Sequence, residues 1–208
     1  MRIFVLANEA QREELESLTV KNNHELIFNS GLPNDEEYKN YDAYFILSST
    51  WASLDFSHFE DKPVFINAVI ETLSELNLPL NVSRLNAWPG FLKNKIWELA
   101  SNRQKDIRIV FDIINRDFIA VKDEPGLVAP RVISMIINEA YFALEGKVST
   151  KEEIDLAMEL GTNYPFGPFE WAEKIGLKHI YYLLTKLSEK DERYMVAPLL
   201  KKMISDYN

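Results

Sequence analysis

Residues 130–171 read PRVISMIINEAYFALEGKVSTKEEIDLAMELGTNYPFGPFEW, and this stretch decides the fold of the second half of the chain. Apolar residues recur at helical spacing from Val132 to Leu144, which predicts a helix buried around most of its circumference. Pro130 suits the first turn of such a helix, and Gly146 suits a left-handed residue at its end. The stretch therefore opens a helical domain.

A second helix is predicted to begin after Thr150. Thr150 and Glu153 have the spacing of a capping box, in which each side chain bonds the backbone amide of the other residue. Gly161 is expected to end this helix. Three further helices are expected over residues 168–175, 177–188 and 194–206, the first of them closed by Gly176.

The segment NYPFGPFEW, residues 163–171, predicts a rigid turn. Pro165 and Pro168 each fix one φ angle, and Gly167 gives the backbone freedom between them. Such a turn could be the seam between two helices or the edge of a site. The structural role is favoured, because tight turns built from proline and glycine mostly serve the backbone.

The first half of the chain shows apolar runs that alternate with polar, helix-favouring segments, which is typical of βαβ units. The runs are apolar almost throughout, as in strands buried on both faces of a parallel sheet. Strands are expected at residues 2–7, 25–29, 43–48, 63–69 and 117–123. Helices are expected at residues 8–18, 69–77 and 91–103. The pattern changes near residue 124, so we expect two domains, residues 1–123 and 124–208.

Composition excludes several function classes. The 208 residues carry a net charge of −9, which argues against a general binder of nucleic acid or of anionic membranes. The chain has no cysteine, so disulfides, thiol catalysis and cysteine-ligated metals are excluded. No apolar run is long enough to cross a bilayer, and the first residues show no signal peptide. A cytoplasmic protein is the expectation.

Several linked motifs resemble the C-terminal domain of the 3-hydroxyacyl-CoA dehydrogenases. They are Pro125–Gly126, Asn138–Ala140, Ile154–Met158, Gly161 and Tyr164–Phe169, in the family's order and spacing. The resemblance covers roughly 85 residues, and linked motifs are far more specific than a single one. It implies a helical domain that pairs in a homodimer, preceded by a shortened Rossmann-like domain. It also implies NAD-dependent oxidation of 3-hydroxyacyl-CoA.

The NAD loop that the resemblance implies departs from the family's pattern. The family places glycines after the first strand, so that backbone amides can approach the pyrophosphate. Here Ala7, Asn8 and Glu9 stand in that region, and Glu9 would set a carboxylate against the pyrophosphate. Asn29 stands where the resemblance implies an acidic residue for the ribose hydroxyls. A βαβ unit without a nucleotide is the favoured interpretation.

The catalytic pair implied by the resemblance is half retained. The family uses a His as general base and a Glu twelve positions later to orient it. In the segment NAWPGFLKNKIWE, residues 86–98, Glu98 is retained and the His position is Asn86. An amide cannot act as a base near neutral pH. Glu98 is either a retained functional residue or a solvated residue of the expected helix.

Other candidate positions are fewer. Against the family's Ser-Asn-Thr-Ser run, Asn67 is retained and the hydroxyl positions become Ala68, Val69 and Ile70. The family's Asn near the start of the long helix falls at Pro130, which has no amide side chain to offer.

Histidine and serine positions predict no further site. The three histidines, His24, His58 and His179, share no metal-ligand spacing, so no metal is expected. Ser48 and Ser49 end an expected strand, where a plain cap is favoured over a ligand contact.

Two functions follow from these observations. One is a dehydrogenase with altered cofactor use. The other is a non-catalytic relative, a homodimer that binds an acyl-CoA-like ligand or a partner protein. The departures at the cofactor, base and substrate positions favour the second.

Overall fold

The computed structural model describes residues 1–21, 23–103 and 105–206 of the chain. The chain divides into two compact units, residues 1–127 and 128–208. The first unit combines helices with a seven-stranded sheet, and the second is built from helices. The predicted fold class, a Rossmann-like α/β unit followed by a helical one, is confirmed.

The sheet of the first unit has the order β2-β1-β3-β4-β5-β6-β7. Neighbouring strands run parallel except for β5 and β6, which are antiparallel. Two helices accompany the sheet. The strands are β1 (Arg2–Leu6), β2 (Glu25–Asn29), β3 (Ala43–Ile46), β4 (Val64–Ile66), β5 (Val82–Leu85), β6 (Ile96–Ser101) and β7 (Asp117–Ala120), and the helices are α1 (Glu9–Glu16) and α2 (Lys105–Ile113).

The two faces of this sheet are covered differently. On one face, α1 and α2 pack on a core that contains Phe45, Phe65 and Trp97. On the other face, Tyr44 and Phe59 belong to an aromatic cluster, and three short 3-10 turns supply part of the cover. Successive residues of β1 alternate between the two cores, as the period of a strand requires. The sheet therefore has a hydrophobic core on each face, and α1 and α2 both contribute to the first of them.

The helix expected over residues 91–103 is wrong, because residues 96–101 form strand β6. The segment is rich in helix-favouring residues such as Leu99 and Ala100. Pairing with β5 overrides that local preference, since both residues are buried in the sheet. The sequence also gave no signal for β5 or for α2, and β3, β4 and β7 are each shorter than expected.

The helix expected over residues 69–77 is also wrong. Thr72 and Glu75 do form a capping box, with the Thr72 amide 2.8 Å from a Glu75 carboxylate oxygen. Only one helical turn follows, because Asn77 adopts a left-handed conformation (φ 49°) and the Leu78 amide bonds back to the Leu73 carbonyl. Pro79 then prevents the helix from continuing.

Among residues 128–206, the described part of the second unit, there are five helices. They are α3 (Ala129–Glu145), α4 (Lys151–Thr162), α5 (Pro168–Ile175), α6 (Leu177–Ser188) and α7 (Pro198–Asp206). The predicted capping box of Thr150 and Glu153 begins α4. The last helix begins four residues later than expected, after a 3-10 turn at Glu192–Tyr194. Asn138 ties α3 to the start of α7, because its buried carboxamide bonds the Met195 carbonyl and the Ala197 amide, each at 2.9 Å.

Two of the expected glycine caps differ from the prediction. Gly146 does end α3, but its conformation is right-handed, and the left-handed residue is Lys147, one position later. Gly161 lies inside α4, and Asn163 (φ 56°) is its left-handed cap. Asparagine tolerates this conformation better than most residues. Gly176, at φ 93°, does separate α5 from α6 as expected.

The turn at residues 163–171 is held in place by carboxylate side chains of α4. The Asp155 carboxylate accepts the amides of Phe169 (2.8 Å) and Glu170 (3.2 Å), and so caps α5 from a neighbouring helix. Glu159 accepts the Gly167 amide at 3.0 Å. A Cβ on Gly167 would lie 2.3 Å from the Asp155 side chain. Gly167 is therefore required by close approach, and its own φ of −69° is ordinary.

Candidate functional site

The carboxyl ends of β1, β3, β4 and β5 meet at one edge of the sheet, because these strands are parallel. Ligands of open α/β sheets bind at such an edge. Asn67 directly follows β4, and Asn86 directly follows β5. Strand β6 runs the opposite way, so its first residues, including Glu98, return to the same edge.

Asn86 and Glu98 lie opposite each other across the antiparallel pair. Leu85 pairs with Leu99, and the Asn86 amide donates to the Glu98 carbonyl at 3.2 Å. Directly opposite residues project from the same face of a sheet, with Cβ atoms roughly 5 Å apart. Asn86 is 3% exposed, and its carboxamide oxygen accepts the Trp88 amide at 3.3 Å. Glu98 is half-buried on a strand, so it is not a solvated helix residue.

Asn67 joins this pair. Its carboxamide oxygen accepts the Ala87 amide at 3.1 Å, which ties the end of β4 to the residue after Asn86. The structure thus brings together Asn67, Asn86 and Glu98, the three positions that the sequence selected as catalytic. Without a histidine, the group offers one carboxylate and two carboxamides.

Asn8 begins helix α1 in the turn after β1. Its side-chain oxygen accepts the Gln11 amide at 2.9 Å, and the Gln11 side chain accepts the Asn8 amide at 3.1 Å. The two residues form a capping box. Ala7 is half-buried and Glu9 is exposed.

Gln11 crosses the carboxyl edge of the sheet. Its side-chain amide nitrogen donates to the Leu47 carbonyl, after β3, at 3.2 Å and to the Ala87 carbonyl, after β5, at 2.9 Å. The residue is 1% exposed. Sequence reasoning missed Gln11, although the Asn-x-x-Gln spacing of a capping box starting at Asn8 could have found it.

Glu14, one turn further along α1, fixes the loop after Asn86. Its buried carboxylate accepts the amides of Gly90 (2.5 Å), Leu92 (2.9 Å) and Lys93 (3.2 Å). Helix α1 therefore uses two buried polar side chains to bind the ends of neighbouring strands. Helix α1 is thus bonded to the residues that follow β3 and β5 at the carboxyl edge of the sheet.

Arg84 holds the backbone beside Asn67. This fully buried residue of β5 donates to the carbonyls of Ala68 (2.7 Å) and Val69 (3.1 Å). Its guanidinium also pairs with Asp123. Burial lowers the pKa of Arg84, and the Asp123 carboxylate opposes that shift. The run that carries hydroxyls in the family is thus a tightly bonded backbone segment here.

The remaining candidates lie away from this group. The Asn29 carboxamide donates to the Ile27 carbonyl at 3.1 Å, at the end of edge strand β2. Ser48 bonds Thr50 at 2.8 Å within a short turn. His58 lies 3.7 Å from Asp35 and 3.8 Å from Asp55. Across residues 1–21, 23–103 and 105–206, no three His, Asp or Glu side chains are placed to hold a metal ion.

The residues of the β1–α1 turn do not fit a pyrophosphate. The Gln11 amide is bonded to Asn8, the Gln11 side chain fills the edge between β3 and β5, and carboxylates stand at Glu9 and Glu14. No helix in the described part of the chain is long and apolar enough to cross a membrane.

Sequence comparison relates the second unit to known enzymes. Residues 126–207 match the family model described as "3-hydroxyacyl-CoA dehydrogenase, C-terminal domain". The chain is 42% identical over 84 residues to 3-hydroxyadipyl-CoA dehydrogenase of Escherichia coli (strain K12), a match that covers 39% of this chain and 18% of that protein. It is 39% identical over 146 residues to 3-hydroxybutyryl-CoA dehydrogenase of Clostridioides difficile, covering 66% of this chain and 52% of that one. The chain thus spans about half, or less, of these curated relatives.

Structure comparison extends over both units. The crystal structure of (S)-3-hydroxybutyryl-CoA dehydrogenase from Ralstonia eutropha is similar with a TM-score of 0.73 and 18% sequence identity. The match covers 99% of this chain and 94% of that chain, and at this identity it shows the fold. The motifs of the helical unit and the family match agree. Residues 126–207 of this chain are therefore identified as a C-terminal domain of the 3-hydroxyacyl-CoA dehydrogenase family.

Proposed function

We propose that this chain is a non-catalytic 3-hydroxyacyl-CoA dehydrogenase relative that binds an acyl-CoA-like ligand without oxidising it. The observation that carries the proposal is the pairing of Asn86 with Glu98. The two residues lie opposite each other across the β5–β6 hairpin, and the resemblance implies a base at residue 86 with Glu98 as its orienting carboxylate. A carboxamide at residue 86 can accept and donate hydrogen bonds but cannot take the hydroxyl proton.

The turn after β1 supports the loss of NAD chemistry. Gln11 is buried, and both the oxygen and the nitrogen of its carboxamide are hydrogen-bonded. A pyrophosphate at this edge would therefore have to displace its side chain. Displacing Gln11 would leave two carbonyls without their donor, which costs about 1–3 kcal/mol for each buried group. Binding of NAD is thereby opposed in the turn after β1, where the resemblance implies a glycine-rich loop that would favour it.

Ligand binding is supported by sequence similarity to enzymes named for acyl-CoA substrates and by a cavity in the helical unit. Relatives of this chain are named for 3-hydroxybutyryl-CoA and 3-hydroxyadipyl-CoA. The cavity has a volume of about 470 Å³, within the range of small-molecule sites. Tyr141, Phe169 and Ile175 give it apolar walls, and Lys151 lies with its ammonium 5.5 Å from the centre of the Phe169 ring. Apolar walls with a nearby cation suit an acyl chain that carries an anionic group.

A homodimer built through residues 125–208 is part of the proposal. Helix α4 has no fully buried residue, although it carries Leu156 and Leu160, which are 55% and 78% exposed. On α3, Val132 and Phe142 are also exposed within one chain. Apolar side chains on two helices of one unit support an interface there.

Titration calorimetry and thermal shift test the proposal. Acetoacetyl-CoA is expected to raise the melting temperature, because a ligand of the native state stabilises it. NAD and NADH are expected to leave it unchanged. An NAD dissociation constant of about ten micromolar or tighter would overturn the loss of cofactor chemistry. A melting temperature unchanged by acetoacetyl-CoA would overturn the proposed binding of an acyl-CoA-like ligand and would favour the binding of a partner protein.

A further inference from the structure

A second cavity lies in the α/β unit, away from the Asn67–Asn86–Glu98 group. It has a volume of about 240 Å³ and is lined by Lys21, Lys95, Asp112, Asn115, Arg116 and Asp117. Three separate segments meet there and are bonded through their backbones. The Lys21 amide donates to the Ile113 carbonyl at 3.0 Å, and the Asp117 amide donates to the Lys95 carbonyl at 2.9 Å.

The cations of this cavity are not neutralised by its carboxylates. Among the residues that the structure describes, Lys21, Lys95 and Arg116 form no ion pair within 4 Å. Asp117 pairs instead with Arg108, outside the cavity, at 3.3 Å. Three cations and two carboxylates thus line the cavity, and of the two carboxylates Asp117 is paired with Arg108. The lining carries a net positive charge on a chain whose own net charge is −9.

Arg116 has one hydrogen-bond donor that no described residue satisfies. Its Nη1 donates to the Asn115 carbonyl at 3.0 Å. Its Nε is buried and has no hydrogen-bond partner within the described residues. Burial lowers the pKa of Arg116, and no carboxylate offsets that shift. An unsatisfied buried donor in a native protein commonly marks the place of an ion or a water molecule.

We propose that this cavity binds a phosphate dianion, either as inorganic phosphate or as the phosphate group of a small phosphomonoester. A guanidinium presents parallel N–H donors that match phosphate oxygens, and the two lysines add point charges. The small size and charged lining suit a compact anion better than an acyl chain. Asp112 and the carbonyl end of α2 oppose an anion, but the Ile113 carbonyl is already bonded to Lys21.

The test is calorimetric titration of the full chain with inorganic phosphate at low ionic strength, where charge interactions are least screened. Saturable binding below about 10 mM is expected, and its absence would overturn the proposal. R116Q and K95Q are each expected to weaken binding about tenfold, the effect of one charge-assisted hydrogen bond. D112N is expected to tighten binding, because it removes the opposing charge.

Controls separate the cavity from general charge effects. K39Q removes an exposed lysine elsewhere in the same unit and is expected to bind phosphate as the unmodified chain does. Lys95 is itself exposed, so K95Q keeps the test valid if R116Q proves unstable. Equal affinity in K95Q and K39Q would overturn the proposal. Glycerol 3-phosphate in place of phosphate distinguishes the two sources, since tighter binding of the ester assigns the site to a phosphomonoester and tighter binding of phosphate to the free ion.

Discussion

Asn86 and Glu98 are direct cross-strand neighbours, joined by a 3.2 Å bond from the Asn86 amide to the Glu98 carbonyl. The twelve-residue separation of Asn86 and Glu98 thus corresponds to the β5–β6 hairpin, which sets the two residues opposite each other. A carboxamide stands at residue 86, where the resemblance implies the imidazole of a general base.

Restoring that side chain alone is not expected to restore turnover. General-base catalysis contributes roughly a hundred- to ten-thousand-fold, and placement of the nicotinamide contributes a comparably large effect. Asn86→His should therefore remain inactive with NADH and acetoacetyl-CoA, followed by loss of NADH absorbance. Turnover of the unmodified chain at about one per second would contradict this prediction, because it is a modest but genuine enzymatic rate. Glu98 and Ser48 would then be the first residues to substitute.

Gln11 is expected to be a major source of stability in the α/β unit. Gln11→Ala should lower the free energy of unfolding by about 1–3 kcal/mol for each of the Leu47 and Ala87 carbonyls, because both lose their donor. Gln11→Glu should cost more, since a carboxylate would face those carbonyls. Urea denaturation measures both. Glu13→Gln, at an exposed position of the same helix, is the matched control, and equal stability of the control and Gln11→Ala would rule out this role.

The sequence selected three positions that lie at one edge of the sheet, but it misassigned some of the elements that carry them. Spacing selected Asn67, Asn86 and Glu98, which the structure brings to one edge, because motif spacing survives when local structure is misassigned. The helix expected around Glu98 is a strand, since pairing with β5 outweighs the helix preference of its residues. Strand β5 was missed because its residues, VSRL, include Arg84. Burial of that charge is made tolerable by Asp123 and by the Ala68 and Val69 carbonyls, which are all distant in sequence.

The helical unit was predicted more completely, because its signals are local. The capping box at Thr150 and Glu153 needs only neighbouring residues. The role of Gly167 was predicted wrongly because it depends on a residue that is not its neighbour in sequence. Glycine is needed at this position because the Asp155 side chain packs directly against it and leaves no room for a Cβ.

Asp155 is expected to stabilise α5 specifically. Asp155→Ala removes the acceptor of the Phe169 and Glu170 amides and should cost about 0.5–2 kcal/mol, the usual effect of losing a helix cap. Hydrogen exchange should show faster exchange at those two amides. Glu152→Gln, an exposed residue of the same helix, is the control. Unchanged exchange at Phe169 and Glu170 would count against the cap.

The proposed homodimer predicts a scattering mass of twice the 24.1 kDa chain. Leu160→Glu should shift the protein toward monomer, because it places a charge on the exposed apolar side of α4. Leu80→Glu changes a residue that is 65% exposed in the other unit and should leave the mass unchanged. A monomer at micromolar concentration in the unmodified chain would refute the prediction.

The hydrogen bonds that hold the loop between β5 and β6 limit the insertions and deletions that this loop can accept. Glu14 binds the amides of Gly90, Leu92 and Lys93, and the Trp97 indole donates to the Leu92 and Asn94 carbonyls. A residue added or removed here must break those bonds or shift the pairing of β6 by one position. Such a shift would turn Glu98 to the opposite face of the sheet. Substitutions at residue 86 are therefore easier to accept than any change in the length of this loop.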